Sequence, residues 1–417
     1  MSFIKTPVKG MPEQLPEDMV IREYVMRQIK DAYRTYGFNL LETPVIEHIE
    51  NLTGKQGGEN EQLIFKILKR GEKLAEAATP EEMCDSGLRY DLTVPLARFY
   101  ANNSDKLPTP FKAFQMGPSF RAERPQKGRF RQFIQCDIDI LGDSTNLAEI
   151  ELILATSEML SRLNLGAFKV RVNDRRLLKQ MALFSGLPEE KLDTIFIILD
   201  KMDKIGLDGV REMLLNDGYN KEAVEKYTAL FRGSDKDYTS SQTYLSERNM
   251  PDSDSEVTHN LDEIIQTTTN LLNGKGQIVF DPTLVRGMSY YTGPIFEVEL
   301  AAFQSSVAGG GRYDEMIGKY LGRPVPACGF SIGFERIFAV LKDNHFTVPD
   351  NHENIAVLID KKAPKDKVLE AMKMAAEKRR SGNRVLISLR NSNAKFQKEQ
   401  LSKAGYQQFI EIFKDTY

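Results

Sequence analysis

A cluster of basic residues between two apolar arms is the feature of this chain that most restricts its fold. Within residues 120–139, FRAERPQKGRFRQFIQCDID, basic side chains cluster around Glu123, the single acid of the stretch 120–131. These are Arg121, Arg124, Lys127, Arg129 and Arg131. The arms, MGPSF before the cluster and FIQCDIDIL after it, have the apolar content of strands, and Pro125 and Gly128 favour a turn between them. The sequence therefore predicts a β-hairpin.

The charge of this hairpin indicates a bound polyanion. The chain of 417 residues has a net charge of −3, so the basic cluster is a local feature. A local positive pocket on a mildly acidic protein favours a specific polyanion site over general binding of nucleic acid. The alternative is a hairpin whose basic residues are only solvated.

The rest of the sequence excludes several classes of protein. No apolar run reaches the roughly 18–20 residues that cross a membrane, and the N-terminal segment lacks the apolar region of a secretory signal. Cys84, Cys136 and Cys328 form no CxxC pair and the histidines are scattered, which argues against a zinc site. We therefore expect a cytoplasmic protein. Walker A and GxGxxG motifs are absent, so a nucleotide would be bound by arginines and a sheet.

Periodicity divides the chain into a sheet-rich part and a helical part. Apolar residues at helical spacing predict a helix over 18–37, and FNLLETPVIEH after it is predicted to be a strand whose Pro44 favours a sheet edge. Another helix is predicted over 146–163. Strand-like segments lie on both sides of 170–275, where successive helical patterns are separated by Gly and Pro. This order predicts a sheet-rich domain with a helical insertion.

Residues 353–417 have the alternating pattern of a small α/β domain. IAVLID, RVLISL and YQQFIEIF have strand character, and helices are predicted between them over 364–380 and 393–404. This segment has 14 Lys and Arg against 8 Asp and Glu, a net charge of +6, so the remainder carries −9. A basic appendage on an acidic body fits an arm that binds RNA, and a solvated charged face fits equally well.

Two segments place polar residues at alternate positions. In LRYDLTVPLARF, residues 88–99, a strand would put Arg89, Asp91 and Thr93 on one face, where an acid beside a hydroxyl suits an ammonium group; the alternative is a solvent-facing edge. The returning arm of the hairpin would present a second such face. Its members are Phe133, Gln135, Asp137 and Asp139. An aromatic ring can stack on adenine, and a carboxylate can accept from a ring nitrogen, although a phenylalanine alone is more often a core residue.

Three later segments supply further arginines and glycines. LVRGMSYYTGPIFE, residues 284–297, places Arg286 beside a glycine and before two tyrosines. AGGGRYD, residues 308–314, has three glycines that allow close approach of backbone and ligand. GFSIGFERIF, residues 329–338, has the pattern of a strand and a glycine turn before a helix that carries Arg336. A helix-borne arginine can bind a phosphate with two hydrogen bonds.

Together these motifs resemble those of class II aminoacyl-tRNA synthetases, and of the histidyl-tRNA synthetase family in particular. FRAERPQKGRFRQF is similar to motif 2 of that class and GFSIGFERIF to motif 3. The first helix with FNLLETPVIEH resembles motif 1, whose proline lies at a dimer interface. LVRGMSYYTG and GGGRYD resemble the two histidine-specific motifs, and LRYDLTVPLAR also matches that family. The resemblance covers nearly the whole chain.

The resemblance implies an α+β fold. Residues 1–169 and 276–345 would form the antiparallel-sheet catalytic domain of class II synthetases, and 170–275 a helical insertion domain near the acceptor arm of the tRNA. Residues 353–417 would form a small C-terminal α/β domain like those that bind anticodons. The implied partners are ATP, L-histidine, histidine tRNA and a second copy of the chain, with Mg²⁺ as cofactor and its ligands left open.

The implied activity is that of a histidine–tRNA ligase, which makes histidyl-adenylate and pyrophosphate and then charges the tRNA. By motif match, Arg121 and Arg286 would be the catalytic residues. ATP would be bound by Arg121, Glu123, Phe133 and Arg336. Histidine would be bound by Asp91, Thr93, Arg121, Gln135, Asp139, Arg286, Tyr290, Tyr291 and Tyr313. The acceptor end of the tRNA would be bound by Arg124, Lys127 and Arg129.

Two departures from the family pattern bear on this hypothesis. Met288 and Ser289 stand where the family usually has Leu and Asp, so a negative charge near the site would be lost. The C-terminal domain looks shortened, which leaves recognition of the anticodon open. Two other functions are considered. A regulatory partner of an ATP phosphoribosyltransferase would have lost the catalytic arginines, which this chain keeps, and an RNA-binding or sensor module would explain a short C-terminal domain.

Overall fold

A mainly antiparallel sheet of eight strands forms the centre of the larger of two compact units. The computed structural model describes residues 3–53, 60–126, 128–233, 237–287, 290–301, 303–349 and 352–414. The larger unit comprises Met1–Pro12 and Val25–Asn344, and the smaller comprises Glu13–Tyr24 and His345–Tyr417. No helix in the described ranges is long and apolar enough to cross a membrane.

The helices and strands are numbered in chain order. The helices are α1 (Pro16–Thr35), α2 (Ile49–Thr53), α3 (Glu72–Ala75), α4 (Thr93–Asn103), α5 (Leu147–Arg162), α6 (Arg175–Phe184), α7 (Leu192–Leu199), α8 (Met202–Asn216), α9 (Lys221–Leu230), α10 (Ser241–Glu247), α11 (Ser255–Leu272), α12 (Asp314–Leu321), α13 (Phe334–Asp343), α14 (Lys365–Arg380) and α15 (Ala394–Lys403). The strands are β1 (Asn39–Leu41), β2 (Ile46–His48), β3 (Lys66–Leu68), β4 (Cys84–Leu88), β5 (Phe111–Phe120), β6 (Gln132–Leu141), β7 (Phe168–Asp174), β8 (Gln277–Phe280), β9 (Pro294–Leu300), β10 (Phe303–Arg312), β11 (Ala327–Gly333), β12 (Asn354–Ile359), β13 (Arg384–Leu389) and β14 (Gln408–Ile412).

The eight-stranded sheet has the order β1-β5-β6-β11-β10-β9-β7-β8. The pairs β1–β5 and β7–β8 are parallel and the others are antiparallel. The basic hairpin predicted from the sequence is confirmed as β5 and β6, whose partners run from Phe111↔Leu141 to Phe120↔Gln132. Its tip is held by two backbone hydrogen bonds between Gln126 and Arg129.

The side chains of β6 alternate between an apolar face and a polar face of the sheet. Cys136, Ile138 and Ile140 are buried, and α5 packs against β6 and β11. Successive side chains of a strand point to opposite faces. Gln135, Asp137 and Asp139 therefore lie on the other face, as the alternation in the sequence predicted.

The predicted strand that would carry Asp91 and Thr93 is wrong. Strand β4 ends at Leu88 and lies in a separate sheet of order β2-β4-β3, and α4 begins at Thr93. The Oδ1 atom of Asp91 accepts a hydrogen bond from the backbone N–H of Val94 at 3.0 Å and so stabilises the first turn of α4. Arg89 is directed elsewhere, because it donates to the backbone carbonyl oxygens of Thr43 and Pro118.

In its described residues, 170–233 and 237–275, the predicted insertion contains six α-helices, α6 to α11, between β7 and β8. These two strands pair in parallel, with Val170 opposite Ile278. Strand β7, which forms the beginning of the predicted insertion, also pairs with β9 in the main sheet. The helices predicted over 18–37 and 146–163 are confirmed as α1 and α5 within two residues at each end.

The C-terminal part of the smaller unit has the predicted β-α-β-α-β order. Its three strands are parallel in the order β13-β12-β14, with α14 and α15 as the connecting helices. The core lies between the sheet and α14, where Ile355 and Val357 contact Ala371, Ala375 and Val385. The small alanines allow the helix to approach the sheet closely.

Candidate active site

A cavity of about 560 Å³ opens on the polar face of the eight-stranded sheet. Its floor is formed by β6, β10 and β11, and its walls by the start of α13 and by loop residues 285–287 and 290–291. Asp200, Asp203 and Lys204, around the junction of α7 and α8, line it from the helical insertion.

The cavity brings together all the residues predicted to bind ATP or histidine. They are Asp91, Thr93, Arg121, Glu123, Phe133, Gln135, Asp139, Arg286, Tyr290, Tyr291, Tyr313 and Arg336. Of the residues predicted to contact tRNA, Arg129 lines the cavity and Arg124 does not. Lys127, Met288 and Ser289 lie outside the described residues.

One end of the cavity contains carboxylate and amide oxygens without hydrogen-bond partners. Asp91, Gln135 and Asp139 are 2%, 7% and 3% exposed. Within the described structure Asp91 Oδ2, Gln135 Oε1 and Asp139 Oδ2 are buried and unpaired. Buried polar atoms are nearly always hydrogen-bonded in folded proteins, so three unpaired acceptors in one cavity indicate a ligand with several N–H donors.

Asp139 is held at the floor by a tyrosine and a glycine. The hydroxyl of Tyr313 donates to Oδ1 of Asp139 at 2.6 Å. A Cβ atom on Gly329, its partner on β11, would lie 2.0 Å from that oxygen, so only glycine leaves room for the carboxylate. Burial raises the pKa of Asp139 to about 7; the hydrogen bond from Tyr313 opposes this shift and the charge of Asp91 adds to it.

Three tyrosines form the wall beside Asp139. The ring centroids of Tyr290 and Tyr291 are 4.7 Å apart, and those of Tyr290 and Tyr313 are 6.0 Å apart. Burial raises the pKa of each of the three phenols. The phenols therefore stay neutral at physiological pH. Tyr313 already donates its hydroxyl hydrogen to Asp139, so Tyr290 and Tyr291 are the phenols that can hydrogen-bond to a ligand.

The other end of the cavity is positively charged. The guanidinium of Arg121 lies 5.1 Å from the ring centroid of Phe133 and 4.4 Å from that of Tyr90, and its Nε donates to the carbonyl of Tyr90 at 3.2 Å. Phe133 is therefore a half-buried wall of the cavity and not a core residue.

Arg286 lies flat over a glycine of the sheet. Its Nη1 donates to Oε2 of Glu297 at 2.7 Å. A Cβ atom on Gly309 would lie 2.4 Å from the same nitrogen, so the glycine makes this position of the arginine accessible. Burial opposes the charge of Arg286, but Tyr291 and Glu297 offset that effect and the net result is a raised pKa.

Arg336 shares this end with two other cations. It donates to the carbonyl of Ser306. Burial lowers the pKa of Arg336, and the positive charges of Arg129 and Arg286 lower it further. Three arginines that repel one another in a partly desolvated cavity would be stabilised by a bound polyanion.

A row of residues, all polar except Gly309, crosses the sheet at the cavity floor. Register pairs each residue with the next, from Gln115 on β5 through Asp137, Ser331, Gly309 and Glu297 to Arg171 on β7. Arg171, the last residue of the row, donates hydrogen bonds to Asp281 and, at 2.5 Å, to Glu299. It also donates to Asp203 of α8 at 3.5 Å, which connects the row to the helical insertion.

Several of these functional candidates were not predicted from the sequence. Glu297 and Ser331 belong to motifs that were recognised. Strand alternation from Gly329 could have indicated Ser331 on β11, whereas Arg286 lies in the loop before β9 and gave no such signal for Glu297. Asp200, Asp203 and Lys204 lie far from every motif in the sequence. No spacing in the sequence could have placed them at the cavity.

The comparisons with known proteins agree with this geometry. The family model described as histidyl-tRNA synthetase matches residues 10–337. The histidine–tRNA ligase of Leifsonia xyli subsp. xyli is 39% identical over 99% of this chain and 96% of its own length. The chain belongs to the histidyl-tRNA synthetase family. The probable histidine–tRNA ligase of Tropheryma whipplei (strain Twist) is 42% identical over 81% of this chain and 80% of its own.

Solved structures of the family have the same fold. The histidyl-tRNA synthetase of Nostoc sp. PCC 7120 superposes with a TM-score of 0.79 at 26% identity, over 97% of this chain and 90% of its own. A Bacillus halodurans protein described as an ATP phosphoribosyltransferase regulatory subunit/histidyl-tRNA synthetase has a TM-score of 0.79 at 22% identity, over 100% of both chains, and supports the fold alone. The predicted family, the α+β class II fold and the histidine–tRNA ligase function are confirmed.

Proposed function

We propose that this cavity carries out both reactions of a histidine–tRNA ligase. L-Histidine and ATP form histidyl-adenylate and pyrophosphate. A hydroxyl of the terminal ribose of histidine tRNA then attacks the histidyl carbonyl, an ester forms, and the bond from that carbonyl to phosphate oxygen breaks with release of AMP. One observation carries the proposal: a single cavity has three unpaired buried acceptors at one end, and at the other end Arg336 beside the positive charges of Arg129 and Arg286. An amino acid that reacts with a nucleoside triphosphate has the complementary charges.

Histidine binds at the acceptor end. Its ammonium group, with three N–H donors, bonds to Asp91, Thr93 and Gln135, and its ring lies between Asp139 and Tyr291. An acceptor at one ring nitrogen and a phenol at the other match the two nitrogens of imidazole. Tyr290 and Tyr313 complete this wall. A ring without those nitrogens would leave buried groups unpaired and would be rejected.

ATP binds at the arginine end. Adenine stacks on Phe133 beside Glu123, Arg121 and Arg286 bind the α-phosphate, and Arg336 binds the γ-phosphate. The contact between Arg121 and Phe133 supports this division, because it brings a phosphate-binding group next to an aromatic surface. Arg121 and Arg286 also contact the histidine carboxylate as it approaches phosphorus.

Positioning and charge stabilisation supply the catalysis. A carboxylate oxygen of histidine attacks the α-phosphorus, the bond from phosphorus to the bridging oxygen of pyrophosphate breaks, and pyrophosphate leaves. The carboxylate is ionised at neutral pH, so this step needs no general base. Arg121 and Arg286 stabilise the charge that develops on the α-phosphate, and the fixed cavity holds the reacting atoms in line.

Mg²⁺ would bind at the arginine end of the cavity together with ATP. In the described residues, no group of three or more His, Cys, Asp or Glu could form a metal site. Mg²⁺ commonly binds through substrate phosphates with one or two carboxylates, and the single acids Glu123 and Glu297 supply such carboxylates here. The ion would neutralise phosphate charge.

The transfer step uses tRNA bound outside the cavity. Arg124, and Arg129 at the rim of the cavity, contact its acceptor end together with Lys127, which lies between them in the sequence, and the insertion over 170–275 lies along the acceptor arm. The domain of 353–417 binds the anticodon stem by its charge of +6. Residues 1–169 and 276–345 form the catalytic domain of a cytoplasmic enzyme.

We also propose that the active form is a homodimer. Three apolar side chains of the edge strands β1, β2 and β3 are strongly exposed in the single chain. They are Leu40, Ile46 and Leu68, at 60%, 55% and 56%. Leu40 and Ile46 flank Pro44 in the segment that resembles motif 1, and Leu68 lies on β3, in the same small sheet as Ile46. A second copy would cover them.

Histidine-dependent exchange of pyrophosphate into ATP tests the first reaction. The purified chain should catalyse it with histidine and with no other amino acid, and should charge histidine tRNA. A protein that exchanges nothing would refute the ligase and favour a regulatory or RNA-binding role. A protein that exchanges but does not charge tRNA would locate the defect in the tRNA-binding parts.

A further inference from the structure

Asp137 lies at the centre of the cavity floor and has no role in the reaction described above. It is on β6 between Gln135 and Asp139, and it lines the cavity at 4% exposure. Burial raises its pKa and the charge of Asp139 raises it further. Burying a carboxyl group costs folding free energy, so we expect Asp137 to have a function in the cavity.

The contacts of Asp137 show which neighbour it controls. Its Oδ1 accepts from the hydroxyl of Ser331 at 2.5 Å, and its Oδ2 accepts from Nε2 of Gln135 at 3.2 Å. In these two contacts both oxygens of Asp137 are acceptors, which leaves the carboxyl group no donor to offer to the amide oxygen of Gln135. The amide nitrogen of Gln135 must therefore face Asp137, and the amide oxygen must face away from it.

The amide oxygen of Gln135 is one of the three unpaired acceptors of the cavity. Ser331 alone could not select this orientation. Its hydroxyl lies 3.4 Å from Nε2 of Gln135, and a hydroxyl can donate as well as accept, so it tolerates either orientation of the amide. Asp137 fixes the orientation of the amide in two ways. It accepts a hydrogen bond from the amide nitrogen of Gln135, and it accepts the hydroxyl hydrogen of Ser331, so that Ser331 can only accept from Gln135.

We propose that Asp137 is a positioning residue for histidine recognition: it orients the amide of Gln135 so that the carbonyl oxygen accepts from the ammonium group of the substrate. This inference rests on the proposed function. Without Asp137 the amide can rotate and present N–H groups to a cation. Replacing Asp137 should therefore weaken binding of the ammonium group of histidine and leave the contacts to the imidazole ring and to ATP unchanged.

The test compares Asp137→Ala and Asp137→Asn with the wild type in histidine-dependent pyrophosphate exchange. Asp137→Ala should raise KM for histidine by about tenfold or more, the cost of a hydrogen bond to a charged group, with kcat and KM for ATP within about threefold. Asp137→Asn keeps an acceptor for the amide and should show a smaller increase. Ser331→Ala, which keeps Asp137 and its bond to Gln135, should also show less than Asp137→Ala.

Two inhibitors separate positioning from general damage to the fold. Histidinol keeps the ammonium group and the ring, so its inhibition constant should rise in Asp137→Ala as KM does. Imidazolepropionate lacks the ammonium group, so its constant should not change. Equal weakening of both inhibitors, or an unchanged KM in Asp137→Ala, would overturn the proposal.

The controls separate this inference from the proposed function. If Asp137→Ala does not fold, as judged by thermal melting, Asp137→Asn carries the same comparison, and an unchanged ratio of the two inhibition constants in it overturns the proposal. Absence of exchange in the wild type would defeat the ligase function itself. Normal exchange in the wild type with variants that behave like it would defeat only the role of Asp137.

Discussion

Gly309 determines where the guanidinium of Arg286 can lie. Its absent side chain leaves the space that the arginine fills, since a Cβ atom there would be 2.4 Å from Nη1 and 2.8 Å from Cζ of Arg286. The obstructed atoms are the far end of a flexible side chain, so Gly309→Ala should fold and displace the arginine. We expect kcat for pyrophosphate exchange to fall about 10²-fold, as for the loss of one charge-stabilising donor.

The control for this variant is Gly287→Ala. A Cβ atom at Gly287 has its nearest neighbour, Oδ2 of Asp200, at 3.6 Å, which is an ordinary van der Waals distance. This variant should retain most of the exchange activity. An unchanged kcat in Gly309→Ala, with a normal melting temperature, would contradict the role assigned to Arg286.

Asp139 should give histidine binding a pH dependence near neutrality. Its pKa is raised to about 7, so the carboxyl becomes ionised as the pH rises through that value. Only the ionised form offers Oδ2 purely as an acceptor to an imidazole N–H. We expect kcat/KM for histidine to rise between about pH 6 and pH 8, measured by pyrophosphate exchange.

The same carboxyl affects stability with the opposite sign. Its folded pKa lies above the ordinary value of about 3.9, so the folded state takes up a proton and loses stability as the pH rises from that value to about 7. Asp139→Asn should remove this loss. In this variant the pH dependence of kcat/KM for histidine should come only from the titration of the substrate. A pH profile identical to that of the wild type would exclude Asp139 as the titrating group.

At the scale of elements, alternation predicted β6 because its two faces differ strongly along the whole strand. The same pattern failed over 88–99, where three alternating polar residues cannot distinguish a strand from a loop that enters a helix. Pro95 in the first turn of α4 was a signal for a helix start. The unpaired oxygens of the cavity could not be predicted, because they depend on strands brought together from distant parts of the chain.

Arg171 joins three elements around the cavity, namely β7, β9 and α8. Its side chain is 9% exposed and is surrounded by acids, including Glu297 at 3.8 Å, the partner of Arg286. Arg171→Met would leave the largely buried Asp281 without its cation and Glu297 with Arg286 alone, while Glu299 and Asp203 are exposed enough to be solvated. We expect a loss of roughly 3–5 kcal/mol in the free energy of unfolding, measured with denaturant. We also expect a fall of at least about tenfold in exchange kcat, because Glu297 would shift and misplace Arg286.

The matched variant is Arg211→Met. Arg211 pairs with Glu225 on the surface of the insertion, away from the residues that line the cavity. Exposed ion pairs contribute little, so its stability and activity should stay close to the wild type. If the two variants are equally stable, the acids around Arg171 do not depend on it.

At the scale of the whole molecule, the cavity and the excess of positive charge belong to different parts of the chain, and we propose that these parts bind the small substrates and tRNA respectively. All residues that line the cavity belong to the larger unit, and the excess charge of +6 belongs to 353–417. Replacing the exposed Lys361, Lys362 and Lys365 by Gln should raise KM for tRNA and leave pyrophosphate exchange unchanged. The slope of log KM against log salt should fall by about 0.7–0.9 for each lysine that neutralises a phosphate in the wild type. An unchanged slope would mean that this face does not bind RNA.

The proposed dimer can be tested at the exposed edge strands. Ile46 on β2 is 55% exposed in the single chain, whereas isolated globular proteins rarely expose a group of large apolar side chains together. In a dimer Ile46→Asp would bury an unpaired carboxylate, which costs more than the apolar interface supplies at that position. Sedimentation should then change from the mass of two chains to that of one, and exchange should fall with it. Leu271→Asp, at 61% exposure on α11, changes a comparable residue away from these strands and should leave the dimer intact. A wild type that sediments as one chain while exchanging normally would refute the dimer, and the edge strands would then need another partner.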